Sequence, residues 1–246
     1  MNPTRDLIHV FIGYDSRQTA LFNVAQHSII RHCSRPVSIA PIKLSHLSGV
    51  FEREKLAIQS TEFSFSRFLT PYLRGYQGWA LFMDCDVIAR GDLAELWALR
   101  DERYAVQCVK HDHQPSSSMK FLGEQQTQYE KKNWSSVMLM NCAKCTALTP
   151  DYVNTASGLE LHQFKWLESE ELIGEIPRAW NFLVDYYAHD EAAKLLHYTS
   201  GGPYYADYRN VDFAEDWFEN YRDANQTADS DYVALTEAAR HSREEG

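Results

Sequence analysis

Apolar and polar positions fall in blocks along this chain. Leu7 to Ile12 is an apolar run broken only by His9, and it ends in Gly13-Tyr14-Asp15. That pattern predicts a strand leading into a polar loop. Leu21, Val24, Ala25, Ser28 and Ile29 follow at helical spacing, with Ala25 and Ser28 as small packing residues. Val37 to Ile42 reads as a second strand between Pro36 and Lys43. Phe65, Phe68, Leu69, Tyr72 and Leu73 repeat the helical stripe, which Pro71 is expected to bend or end. Trp79 to Met83 predicts a third strand, and Asp92 with Glu95 predicts the start of a short helix carrying Leu93, Leu96 and Trp97. Tyr104 to Val109, Val137 to Met140 and Leu195 to Tyr198 are further strand candidates, and Thr149-Pro150 reads as a helix start.

Strands alternating with helices imply an α/β layer fold around a largely parallel sheet with flanking helices. Ligands of such sheets gather outside the carboxyl ends of the strands. Residues 111–134 are polar and read as a long surface loop. From about residue 223 onward the chain is polar and charged, which predicts a loose helix or a disordered tail. With no internal repeat and no linker in the pattern, the expected organisation is one domain over residues 1–222 and a tail over residues 223–246.

The third strand carries the most informative feature. Its apolar run stops at Met83 and gives way to Asp84-Cys85-Asp86. Buried unpaired charge is costly, so two carboxylates at a strand end call for a cation. Carboxylates are hard oxygen ligands suited to Mg²⁺ or Mn²⁺. Spacing alone is weak, because Asp229-Ser230-Asp231 has the same spacing inside a hydrophilic tail and reads as solvated charge. Context separates the two pairs. His197 ends another apolar strand and precedes Thr199-Ser200-Gly201-Gly202-Pro203, whose glycines permit a close backbone approach to a phosphate. Two Asp oxygens plus an imidazole nitrogen favour Mn²⁺ over Mg²⁺. His111-Asp112-His113 is a competing cluster in the polar loop.

Composition narrows the classes. The 246 residues are 44% hydrophobic, enough for one substantial core. A formal charge of -10 argues against non-specific nucleic-acid binding and against docking on anionic lipid. No stretch approaches the roughly 20 apolar residues that span a bilayer. The N-terminal residues lack a signal-peptide pattern and the five cysteines are scattered, so a reduced, cytoplasmic setting is expected. Cys142 and Cys145 form a lone C-x-x-C without a second ligand pair, which reads as two ordinary thiols.

Taken in order, several segments form a recognisable series. They are the Asp15 loop, Ser66-Arg67, Asp84-Cys85-Asp86, Asn133 to Asn141, Ile176-Pro177-Arg178-Ala179-Trp180-Asn181 and His197 to Pro203. This series resembles the GT-A fold nucleotide-diphospho-sugar glycosyltransferases, most closely the family-8 galactosyl- and glucosyl-transferring type. The resemblance runs from about residue 7 to 205. It implies a Rossmann-like GT-A domain that moves a hexose from a UDP-sugar to a saccharide or other hydroxyl acceptor, with retention at the anomeric carbon. It also implies roles. Gly13, Tyr14 and Asp15 would meet the nucleoside. Arg67 would face the donor phosphates or sugar. Asp84, Asp86 and His197 would hold Mn²⁺, or Mg²⁺ in its place, against the diphosphate, with Cys85 between them directed into the core. Gly201 and Gly202 would line the phosphates. Asn133, Trp134, Ser135, Ser136, Trp180 and Asn181 would border the sugar and acceptor, where either tryptophan could equally be a core aromatic.

One departure stands out. The family places an acid-flanked Gln beneath the anomeric carbon, and here the corresponding segment is Leu161-His162-Gln163-Phe164-Lys165-Trp166. Gln163 would stand in for that Gln, with His162 or Asp185 supplying the missing polarity. Two other readings remain open. One is a two-metal phosphoesterase joining Asp84 and Asp86 to His111, Asp112 and His113. The other is a nucleotide-sugar binding module that has lost transfer.

Overall fold

The computed structural model describes residues 7–54, 61–112 and 130–226. The elements run β1 (Ile8–Gly13), α1 (Thr19–His32), β2 (Val37–Ile42), α2 (Thr70–Leu73), β3 (Trp79–Met83), β4 (Val87–Ala89) and α3 (Leu93–Ala98). They continue with β5 (Val106–Cys108), β6 (Val137–Asn141), α4 (Pro150–Thr155), α5 (Gly158–His162), β7 (Ile173–Glu175), β8 (Phe182–Leu183), β9 (Leu195–His197) and α6 (Ala214–Ala224).

Six strands form the central sheet in the order β2-β1-β3-β6-β5-β7. Within it β1 is parallel to β2 and β3, β5 is parallel to β7, and β6 runs antiparallel to both β3 and β5. The expected mixed α/β architecture with a mostly parallel sheet is what forms. Every residue of β3 and of β6 is buried, as central strands covered on both faces must be. Of a second sheet, β4-β9-β8, the sequence pattern predicts β9 alone. β4 and β8 have three and two residues, too short to leave a pattern.

Local chemistry sets the boundaries. Asp92 caps α3 by accepting from the Ala94 amide at 2.9 Å, and Thr149 caps α4 by accepting from Tyr152 at 3.1 Å. The expected helix over Phe65 to Leu73 instead starts as a 3₁₀ turn, Ser66–Leu69, and then becomes the single turn of α2. Pro71 sits in the first turn of α2, where its missing N–H costs no helical bond, so it opens that helix rather than ending one. The strand expected over Tyr104 to Val109 is confined to Val106–Cys108. α6 extends to Ala224, two residues past the expected domain end, and most of the expected tail and loop lie outside the described residues.

The two sheets share a helix. α1 buries Leu21, Phe22, Val24, Ala25 and Ile29. Ser28, fully enclosed, donates to the Ala25 carbonyl at 2.7 Å and accepts from the Ala89 amide of β4 at 2.9 Å. Replacing Ser28 by Ala leaves a buried amide without its acceptor, which costs about 1–3 kcal/mol. Urea unfolding of Ser28→Ala is expected to give that loss at an unchanged m-value; a wild-type midpoint would show that the bond contributes nothing.

Candidate metal and donor site

The site forms where the chain passes from one sheet to the other. The Asp84 amide donates to the Ser136 carbonyl at 2.9 Å, which carries the β3/β6 ladder one residue past β3. Two residues later the Asp86 carbonyl accepts from Tyr198 at 3.1 Å, beside the Val87–His197 pair of the β4/β9 ladder. Cys85 lies between, buried, with Sγ 4.0 Å from Gln18 Oε1.

Asp84, Asp86 and His197 each present a ligand atom, and these atoms all lie within 4.8 Å of one another. Asp86 Oδ1 is 3.5 Å from His197 Nε2. His197 is buried, and its Nδ1 is 3.0 Å from Asn181 Oδ1. Two carboxylate oxygens and an imidazole nitrogen fit a divalent ion that accepts mixed O/N donors. His111 stands apart: Nδ1 contacts Tyr187 Oη at 2.7 Å with the rings stacked, and His113 lies outside the described residues. The Asp229/Asp231 pair also lies outside them.

Arg67 is buried and pairs through Nη1 with Asp84 Oδ1 at 2.8 Å and with the Ser135 carbonyl at 2.9 Å. In this arrangement it braces Asp84 and the β6 entry. Asp15 is equally enclosed. Its oxygens accept from the Arg17 amide, from Arg17 Nε and Nη2, and from the Glu62 amide, at 2.9 to 3.2 Å. Four donors around a side chain with no exposed surface make Asp15 the brace of its loop. What reaches solvent there is the Arg17 side chain, 37% exposed, together with Tyr14. Asp-x-Arg, a side chain closing on the amide two residues on, is the sequence signal for this brace.

The glycines answer to aromatic packing. A Cβ on Gly13 would fall 2.3 Å from the Phe63 ring, and one on Gly202 would fall 2.3 Å from the Tyr204 ring. Gly201 has φ +139 and would meet Tyr208 at 2.8 Å. Tyr205 of the same segment accepts from Gln18 Nε2 at 2.7 Å, joining the loop after β9 to the loop after β1. No spacing in the sequence announces Gln18.

On the expected sugar side, Ser135 Oγ and His162 Nδ1 are 2.7 Å apart, and Phe68 packs edge-on against the imidazole. Burial, then the Arg67 and Lys132 charges, hold His162 well below the usual imidazole range. Gln163 closes the C-terminal end of α5, and its carbonyl accepts from Lys131 Nζ at 3.1 Å. Asn133 adopts a left-handed conformation at φ 64, and Ser136 Oγ donates to its carbonyl at 2.6 Å. Trp134 is half-buried and donates to the His111 carbonyl at 2.8 Å, whereas Trp180 is a core aromatic. Asp185 is exposed and accepts from the Asp212 amide at 3.0 Å. Of the residues expected to border the sugar, Asn133, Ser136 and Asn181 bond one another and Ser135 pairs with His162, while Asp185 is tied to the Asp212 amide.

With this geometry in hand, the comparisons become informative. Protein CDI of Arabidopsis thaliana is 45% identical over 226 residues, covering 88% of this chain and 87% of its own length. The chain belongs to the family of Protein CDI. No protein-family model matches the sequence. Among solved structures, this CDI-family chain is similar to the WbbM bifunctional glycosyltransferase in its apo form, at TM-score 0.61 and 15% identity, covering 90% of this chain and 50% of that one. It is similar to the glycosyltransferase GlyE of Streptococcus pneumoniae at TM-score 0.60 and 17% identity, covering 96% of this chain and 64% of that one. It is also similar to the galactosyltransferase LgtC solved with donor and acceptor sugar analogs, at TM-score 0.57 and 12% identity, covering 92% and 99% of the two chains. The chain thus spans half of WbbM and less than two thirds of GlyE. At such identities the likeness is one of fold: the CDI-family chain has the GT-A glycosyltransferase fold.

Asp15 generates a pH prediction. Burial alone would push its carboxyl up, but the Arg17 hydrogen bonds and charge and the Glu62 amide outweigh it and hold the pKa below its ordinary value. A pKa lowered by folding contributes stability above the unfolded value, about 3.9, and loses it as pH falls through the folded one. Asp15→Asn is expected to destabilise at pH 7 by about 1–3 kcal/mol. The gap from wild type should narrow as pH drops below about 4. Thermal melts at a series of pH values check this, and a pH-independent gap would rule it out.

Proposed function

We propose that this chain is a metal-dependent glycosyltransferase that moves a hexose from a UDP-sugar to an acceptor hydroxyl. The observation that carries the reading is the Asp84–Asp86–His197 group at the carboxyl end of β3, in a chain with the GT-A fold. That edge is where α/β sheets receive ligands. Asp84, Asp86 and His197 would hold the ion, with Mn²⁺ preferred over Mg²⁺ for the imidazole donor. Held by these residues, a divalent cation would supply charge neutralisation for a departing diphosphate.

The chain's own groups do the rest. Arg67 keeps Asp84 Oδ1 in place through its 2.8 Å pair and offsets the carboxylate's charge. The loop after β1 offers Tyr14 and the Arg17 guanidinium, which Asp15 holds in one orientation, to a nucleoside diphosphate. On the sugar side, burial and the neighbouring Arg67 and Lys132 charges depress the His162 pKa, so the ring is neutral at pH 7, and Nδ1 shares a hydrogen with the Ser135 hydroxyl at 2.7 Å. This neutral pair stands where the resembling family has acids, and it leaves Gln163 as the candidate to lie beneath the transferred sugar. Among the described residues there is one three-ligand group and His111 is turned to Tyr187, which favours transfer over a two-metal hydrolase.

UDP with Mn²⁺ is expected to raise the melting temperature. At one hundred times Kd the stabilisation is about 2.7 kcal/mol, or about 5–10 °C for a chain of this size. Asp86→Asn is expected to lose the response. A wild type indifferent to every nucleotide sugar tested with Mn²⁺ would refute the proposal.

A further inference from the structure

Asn181 is completely buried, and its amide is held by three partners from two segments. Nδ2 lies 3.2 Å from the Asn133 carbonyl and 2.9 Å from Ser136 Oγ, and Oδ1 lies 3.0 Å from His197 Nδ1. These contacts admit one assignment of hydrogens. The Asn133 carbonyl only accepts, so the amide nitrogen must face it. The Ser136 hydroxyl already directs its hydrogen to that same carbonyl at 2.6 Å, so its oxygen accepts from Nδ2 as well. Oδ1 therefore faces His197, and an amide oxygen only accepts. Nδ1 must then carry a hydrogen, and in the neutral ring Nε2 alone offers a lone pair. Nε2 is the nitrogen on the Asp86 side, 3.5 Å from Oδ1.

We infer that Asn181 is a positioning residue that fixes the ring orientation and tautomer of His197, so that Nε2 is aimed at the ion held with Asp84 and Asp86. The inference rests on the metal reading above and deepens it. A ligating imidazole commonly donates its far N–H to a carbonyl or carboxylate, and loss of that partner typically costs 10–100-fold in metal affinity. Asn181 is well built for the task. Its turn is tied down by the Trp180 amide on the Pro177 carbonyl at 2.9 Å and by the Lys194 amide on the Ala179 carbonyl at 2.8 Å. Its far side is anchored on Asn133 and Ser136, the segment expected to border the sugar. Thr199, two residues past His197, also bonds Asn133 Oδ1, at 3.4 Å. The same amide thus ties the metal histidine to the sugar-side turn. The sequence resemblance put Asn181 in the sugar pocket, and its burial makes it a support of that pocket.

The test is Mn²⁺ affinity by calorimetry on purified full chain, in a double-mutant cycle. Asn181→Ala is expected to weaken Mn²⁺ binding about 10–100-fold. In a His197→Ala background the same substitution is expected to change affinity less than about twofold, because nothing remains to be aimed. An Asn181→Ala chain that binds as wild type does, or that loses as much affinity without His197 as with it, overturns the inference. Should Asn181→Ala fail to fold, long-range ¹H–¹⁵N spectra of the metal-free wild type decide: a neutral His197 carrying its hydrogen on Nδ1 supports the assignment, and one carrying it on Nε2 overturns it. A wild type that binds no Mn²⁺ removes the metal reading itself, and so is told apart from a failure confined to Asn181.

Discussion

Everything in this site depends on how one strand hands the chain from one sheet to another. β3 is buried throughout and ends against β6; after three intervening residues the chain is paired with β9 in a different sheet. The residues of the corner belong to neither ladder by side chain but to both by backbone. Asp84 still bonds β6 and Asp86 already bonds Tyr198. Carboxylates so close to a core cannot stay uncompensated, since an unpaired buried charge costs several kcal/mol. The fold answers with Arg67 on Asp84 and with His197 beside Asp86. The Val87–His197 register is what delivers the histidine, because a slip by one residue would turn its side chain to the other face.

Around that corner the polar groups form a graded enclosure. Asp15, Arg67, Asn181 and His197 are all buried, and each is matched to named donors or acceptors. Buried polar groups are stable only when so matched, and once matched they are rigid. Arg17, with 37% of its side chain exposed, stands further out, as do Tyr14 and Gln163. Enclosed inner groups bracing solvent-facing outer ones is an arrangement suited to holding a charged ligand at a sheet edge without rebuilding the sheet.

The comparison with solved glycosyltransferases is informative for its imbalance. Identity is 12–17% while the fold persists over 90–96% of this chain. Few side chains need to be kept for that. A core tolerates exchange if volume and pattern hold. The aromatic rings that sit where Gly13, Gly201 and Gly202 lack a Cβ are one local solution to packing at strand ends.

The sequence by itself determined the strands with long apolar runs, the helix caps at Asp92 and Thr149, the α/β class, and the two acidic positions that finish β3. These follow from short-range physics: periodicity, capping and the cost of charge next to an apolar run. It also pointed to His197, through the ordered series of segments. Only the tertiary structure decided the rest. In the β4-β9-β8 sheet, β9 was legible but β4 and β8 are too short to show a period. Pro71 opens a helix instead of ending one, because the chain before it takes a 3₁₀ turn. Asp15 and Arg67 turned out to brace protein groups, and the sequence could not show which of their partners would be protein and which solvent. Asn181 and His197 are 16 residues apart, and Asn133 lies 48 before Asn181. No local rule joins them. Their meeting is set by strand order and register, which are properties of the folded sheet.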